Sequence, residues 1–248
     1  MKDLKNENLH LKSLENQIVC PNGEGLKDKN IPYVGIYARA SSVQCLLLFS
    51  FSLMSSSQLF SSFEHRLTLL QIKQTCALLK SDGNDELWKS WQELLLTGEG
   101  WATINAAWVA SHLKGAVLLR LLPQLDALTT RAMLTCDVTL RRLLLTTVLH
   151  LLELLLPRTL SAEQAEARLS PTLMELLDFC LLRIEPVEEG GHLPSLCIKL
   201  VVVLTRHFPE VQNEVKTLLH LLDGAPCSPA LAAAKRNALR EMERQRHS

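Results

Sequence analysis

Aromatic side chains are scarce in this 248-residue sequence: six phenylalanines, four tryptophans and two tyrosines make up 5% of it. Strands draw on aromatic and β-branched residues, whereas the abundant leucine is a good helix former, so the balance points to helices. Neither sign of charge is in excess. Twenty-six lysines and arginines meet 26 aspartates and glutamates, and the sequence pI is about 7.1. That removes a global electrostatic pull toward nucleic acid or anionic lipid, so any such contact must be local. Long apolar runs are missing too. "CLLLFSFSLM" at 45–54 spans ten residues, against the roughly 20 that cross a bilayer. It reads as a short buried or interfacial helix, and no membrane contact is expected.

Cysteine pairing signals are equally thin. The seven cysteines (20, 45, 76, 136, 180, 197 and 227) are scattered and odd in number, and no two form a C-x-x-C pair. Reduced thiols packed as small hydrophobes fit this better than a disulfide framework or a zinc site. The start, "MKDLKNENLHLKSLENQ", has no early apolar stretch and does not read as a secretory signal. An intracellular protein, cytoplasmic or nuclear, is expected.

Catalytic signatures are also missing: no G-x-x-x-x-G-K-[ST] phosphate loop, no G-x-S-x-G elbow and no H-E-x-x-H occurs. "NGEGLKD" contains G-x-G but lacks the third glycine and a preceding strand. "SDGNDE" at 81–86 is acidic without the spacing of a calcium loop, and a helix end followed by a helix start explains it better. The eight histidines are dispersed. No catalytic residue, cofactor, metal ligand or small-molecule substrate is assigned, and the expected function is not enzymatic.

What is present is helical periodicity, from residue 63 onward. Residues 1–62 mix turn formers and charges and end in "SSVQCLLLFSFSLMSSSQLFSS", with nine serines in 22 residues. They are expected to be poorly ordered. Residues 63–248 read as one all-α domain. "FEHRLTLLQIKQTCALLKSDG" places Leu67, Leu70, Ala77 and Leu78 near one helix face. "NDELWKSWQELLLTGEG" starts with acidic residues and has Gly98 past its end as an αL cap. "WATINAAWVASHLKGAVLLRLLP" reads as a single helix to Pro123, and "QLDALTTRAML" as a shorter one.

"LRRLLLTTVLHLLELLLPRTLS" at 140–161 is the densest stretch, with leucine or valine at twelve of 22 positions. Wound at about 100° per residue, Thr139, Arg142, Thr146, His150 and Glu153 share one arc of roughly 80°. Nearly everything else is apolar, apart from Arg141 and Thr147. A small globule's surface helix shows a wider polar face. This helix is therefore expected to be covered on about three sides and to end at Pro157. Ser161 and Gln164 form a capping-box pattern in the following loop. "SPTLMELLDFCLLRI" has Ser170 as N-cap and Pro171 at N1. "LPSLCIKLVVVLTRHFP" repeats the deep-burial design, with Ser195, Lys199 and Arg206 on one strip. "PEVQNEVKTLLHLLDG" and "SPALAAAKRNALREMERQRHS" close the chain as amphipathic helices.

Helices thus come in pairs joined by Pro- or Gly-marked turns, as in a stacked αα-hairpin array; an irregular helical bundle is the alternative. "DVTLRRLLLTTVLHLLELLLP" with "SPTLMELLDFCLLRI", then "LPSLCIKLVVVLTRHFP" with "EVQNEVKTLLHLL", carry a resemblance to HEAT or armadillo-type helical repeats over about 84–224. The resemblance implies a right-handed solenoid of helix pairs that binds proteins along a groove. It also associates the chain with larger chromosome-associated or meiotic recombination scaffolds, of which it would be a part or an isoform.

The expected function is accordingly a protein-binding scaffold or adaptor, with other proteins as partners and nucleic acid not bound directly. Arg142, His150, Glu153, Lys199 and Arg206 are the candidate partner-binding residues, as a polar strip lining a groove. Two alternatives stand beside this: a helical enzyme with an interhelical pocket, and a leucine-box transcriptional coregulator. L-x-x-L-L occurs at 118, 151, 173 and 218, and such helices dock into hydrophobic grooves, but the same leucines are needed for packing. The four tryptophans, 88, 91, 101 and 108, are expected to share an aromatic core between adjacent helices. The basic C-terminal helix reads as a solvated end cap.

Overall fold

Side-chain caps start many of the helices where the sequence marks them. The computed structural model describes residues 61–81, 84–184, 192–223 and 228–245. The segment expected to be poorly ordered lies outside these residues except for Ser61 and Ser62, as do Cys20, Cys45 and Cys227. Among the described residues there are eleven α-helices, one 3-10 turn and no strand. They are α1 (Leu69–Lys80), α2 (Asp85–Thr97), α3 (Gly100–His112), α4 (Ala116–Leu119), α5 (Leu125–Leu134) and α6 (Val138–Leu155). Then follow α7 (Ala162–Glu166), α8 (Pro171–Leu181), α9 (His192–Thr205), α10 (Pro209–Leu221) and α11 (Pro229–Gln245). Asp137 Oδ1 accepts from the Leu140 N–H at 2.8 Å and opens α6. Ser161 and Gln164 complete a reciprocal capping box on α7, and Ser170 caps α8 with Pro171 at its first position. Each such side chain satisfies a backbone donor that the helix leaves orphaned.

The helices stack in two layers. In the front layer α3 lies against α6, α6 against α9, and α9 against α11. In the back layer α2, α5 and α8 are neighbours, and each packs on the front helix that follows it: α2 on α3, α5 on α6, α8 on α9. α1 lies against α3, and α10 against α9 and α11. Polar ties run across the repeats. Arg131 of α5 donates to the Leu95 carbonyl at 2.9 Å and to the Gly98 carbonyl, closing the end of α2. Ser170 donates to Asp126 of α5 at 2.7 Å.

The two dense apolar stretches become the central front helices. In α6, Leu144, Leu145, Leu151 and Leu152 are fully buried, while Thr139, Arg142 and Glu153 are exposed and Thr146 and His150 half-buried. Arg141 and Thr147, the two polar residues off the strip, are buried. Thr147 satisfies itself on the Leu143 carbonyl at 3.0 Å. α9 is buried from Leu193 to Thr205 except for Ser195 and Lys199. Covering an α6 leucine this way contributes about 1.5–3 kcal/mol relative to leaving it in water.

Three expectations are corrected. The apolar stretch after Trp101 is not one helix: α3 stops at His112, and the chain turns at Gly115, whose φ of 62° an L side chain adopts only with strain. Gly98 ends α2 but not in the αL conformation, since its φ is −64°. Its small size serves a close approach instead: a Cβ there would lie 2.6 Å from the Leu94 carbonyl oxygen and 2.7 Å from Thr103 Oγ1. The core face of α1 is Ile72, Thr75, Cys76 and Leu79, while Leu70 and Ala77 are exposed. Leu67 is buried but precedes the helix, which Thr68 caps, so it does not set the face. No described helix is long and apolar enough to cross a membrane.

Candidate functional site

The packing of α11 on α9 builds a cleft. Leu231, Ala234, Ala238 and Met242 form the buried stripe of α11, and the two alanines let its backbone come close to α9. A cavity of about 710 Å³ remains between α6, α9 and α11. Its floor is apolar: Leu149 from α6, Ile198, Val202 and Val203 from α9, and Ala234 and Ala238 from α11. Its rim is polar. Helical pitch puts His150 and Glu153 one turn apart on α6, and Asn237 and Glu241 one turn apart on α11. Lys199 comes from the middle of α9, Arg206 from just past its end, and Arg158 from the turn after α6. Arg158 Nη2 meets Glu241 Oε1 at 2.7 Å and closes one end of the cleft.

The cations of this rim are unequally compensated. Arg206 Nη1 donates to the Leu156 carbonyl at 3.2 Å, capping the end of α6, and its Nε–H is buried without a partner. Burial pulls its pKa below the usual arginine value, against the opposing field of Glu241, with Arg158 acting in the same direction as burial and Glu153 opposing. A guanidinium does not give up its proton on that account; the shift measures how poorly its charge is solvated. Lys199 and Glu153 are exposed and engage in no hydrogen bond or ion pair among the described residues. Burial also lowers the pKa of His150. Glu153 opposes this, while Lys114, His112 and Lys199 add to it, so the ring is neutral at pH 7. Three cations, Arg158, Lys199 and Arg206, therefore line the cleft with two carboxylates, Glu153 and Glu241, while Lys114 acts on His150 from outside it.

Of the five residues marked from sequence, the fold brings His150, Glu153, Lys199 and Arg206 to this one cleft. Arg142 lies on the same face of α6, exposed, but two turns away and outside the cavity. Arg158, Asn237 and Glu241 were not marked. Nothing local to "PRTL" or "KRNALREM" signals them: Asn237 and Glu241 enter through α11 folding across α9, and Arg158, in the turn after α6, gains its partner Glu241 by the same packing.

Other marked features sit elsewhere. Trp88 and Trp91 are buried with ring centroids 5.0 Å apart, and Arg120 lies 4.2 Å over the Trp88 ring. Trp108 is half-buried, but Trp101 is 54% exposed, so the four rings do not form one shared core. Trp101 stands in the first turn of α3, where Thr103 is the buried residue that meets the back layer, through the Leu94 carbonyl of α2 at 3.4 Å. The leucine boxes at 118, 151 and 173 bury their first leucine in the core, whereas Leu221 of the fourth is 75% exposed. Cys76, Cys180 and Cys197 are buried free thiols, and Cys136 is an exposed one. Burial pushes Cys76 up to about 11. A second cavity, about 410 Å³ and mostly apolar, opens between α8, the end of α9 and α10.

The two-layer arrangement of helix pairs has a counterpart among known families: the family model described as a HEAT repeat domain matches residues 60–242. No curated protein and no solved structure matches the chain. The family match spans well over half of the sequence and coincides with the paired helices, so this chain belongs to the HEAT repeat family, a group of helical-repeat scaffolds for protein interaction.

Proposed function

We propose that the chain is a non-enzymatic scaffold or adaptor that grips a partner protein with the front layer, at the cleft between α6, α9 and α11. The observation that carries this is the meeting of His150, Glu153, Lys199 and Arg206 over a single apolar floor. An apolar floor with a polar rim is how protein interfaces combine burial with orientation. We further propose a cytoplasmic or nuclear setting, as part or isoform of a larger chromosome-associated or meiotic recombination scaffold. That placement rests on the repeat architecture alone.

An enzyme with an interhelical pocket is the second reading, favoured by the same convergence of titratable side chains in about 710 Å³. Two features count against it. No hydrogen bond orients His150 or Glu153 among the described residues, and no serine, threonine, cysteine or tyrosine lines the cleft for a hydroxyl- or thiol-based mechanism.

A photo-crosslinking side chain placed at Asn237, exposed in the cleft, and separately at Glu175, exposed on α8 of the back layer, tests the proposal in cells. Defined protein adducts from position 237 and not from 175 are expected. Adducts from 175 alone, or from neither position, overturn the assignment of the partner to this cleft.

A further inference from the structure

We propose that the occupant of the cleft is an acidic peptide segment of the partner, its carboxylates set against Lys199 and Arg206 and an aliphatic side chain seated on the floor between them. This rests on the protein-binding reading above and adds the chemistry of the partner.

The charge distribution is the first argument. Arg158 and Glu241 neutralise each other at 2.7 Å, which leaves Lys199 and Arg206 in the cleft against Glu153 alone. Arg206 is half-buried, with a partnerless Nε–H, and its Nη1 donates to a carbonyl, which carries no full charge. An anion arriving in the cleft supplies the compensation that the protein does not. In this partly desolvated place its attraction is stronger than on an open surface.

The floor is the second argument. Leu149, Val202, Val203, Ala234 and Ala238 make an apolar strip between the charged residues. A free inorganic anion leaves that strip uncovered, whereas a peptide covers it with an aliphatic side chain while its acidic neighbours reach the rim. The lining also argues against nucleic acid. No phenylalanine, tyrosine or tryptophan lies in the cleft to stack a base.

Glu241 gives the proposal a signature. It competes with the ligand for Arg158, so removing its charge frees a cation at the end of the cleft.

The test is fluorescence anisotropy of the whole chain with three short fluorescein-labelled peptides, in which leucine alternates with glutamate, glutamine or lysine. The glutamate peptide is expected to bind about tenfold or more tighter than the other two, the range of one close charge pair. Lys199→Glu, an exposed change that leaves the core intact, removes that preference. Glu241→Gln strengthens glutamate-peptide binding, and Arg142→Glu, on α6 but outside the cleft, changes it less than about twofold. Arg206→Gln weakens binding likewise, read beside a circular dichroism melt because Arg206 also caps α6.

Equal binding of the three peptides, no binding, or a glutamate preference that survives Lys199→Glu overturns the proposal. So does tighter binding of labelled oligouridylate than of the glutamate peptide, lost in Lys199→Glu, which would make the cleft a nucleic-acid groove. Adducts at position 237 with charge-blind peptide binding leave the scaffold reading standing and remove only the acidic partner. No adducts at 237, even with a Lys199-dependent glutamate preference, remove the partner from the cleft and the acidic segment with it.

Discussion

Helices α6 and α10 are both rich in leucine and valine, and the fold treats them differently. Nine of the 18 residues of α6 are buried, including an arginine and a threonine, against three of the 13 in α10. The difference is neighbours: among the described helices α6 packs on α3, α4, α5 and α9, while α10 packs chiefly on α9 and α11. A polar residue therefore means different things on the two helices. On α10 the polar face solvates a helix at the edge of the stack. On α6 most of the cylinder is covered, so the few side chains that reach water are also those able to meet a partner.

The largest expected effect tests that contrast directly. Leu151→Ala empties a fully buried site at the centre of the front layer and is expected to cost about 2–5 kcal/mol. Leu218→Ala on α10, where the side chain is only half-buried, is expected to cost about 1 kcal/mol, because less apolar area returns to water. Chemical denaturation of both variants measures the difference, and equal losses would break the comparison. Gly98→Ala comes next, at the joint between the back and front layers. The added methyl meets the Leu94 carbonyl and Thr103 Oγ1, and overpacking of this kind costs about 1–3 kcal/mol. Asp137→Ala, which removes the side-chain cap of α6, is expected to cost about 1 kcal/mol. A loss as large as that of Leu151→Ala would mean that capping rather than coverage holds α6 in place.

How much of this was legible in the sequence follows from what is local. Ser161 with Gln164, and Ser170 with Pro171, are caps set by residues within one turn of each other, and the fold keeps them as read. The polar arc of α6 needed only the helical pitch. The break at Leu113–Gly115 was not legible, because "HLKGAVLLRLL" continues an apolar pattern and its one glycine is tolerable within a helix. Trp101 was misplaced for another reason: it shares a face with Trp108, but in the first turn of α3 the contact with α2 is made by Thr103, and the Trp101 ring stays exposed. The cleft was half legible. The α6 and α9 strips could be marked, yet Asn237, Glu241 and the pairing of Arg158 with Glu241 depend on α11 crossing back onto α9 beyond its sequence neighbour α10, a tertiary choice that no local pattern encodes.

The smallest expected effect is also the most specific to the strip. His150 is half-buried, and burial, with Lys114, His112 and Lys199 nearby, holds its pKa below 6.5 in spite of Glu153. In the unfolded chain the ring takes up a proton as pH falls through about 6.5, while in the folded protein it does so only at lower pH. The unfolded state thus binds more protons in this window, and stability falls as pH drops from about 6.5 through the depressed folded value. His207, also lowered by burial, adds to the same trend. Thermal melts of His150→Gln should therefore show a shallower decline below pH 6.5 than the parent chain, with the His207 share remaining. Lys199→Gln should move the profile the same way by less, since it removes one of the cations that disfavour imidazolium. If His150→Gln leaves the slope unchanged, the strip is no more desolvated than the edge of the stack, and the contrast between the two helices fails where it matters for binding.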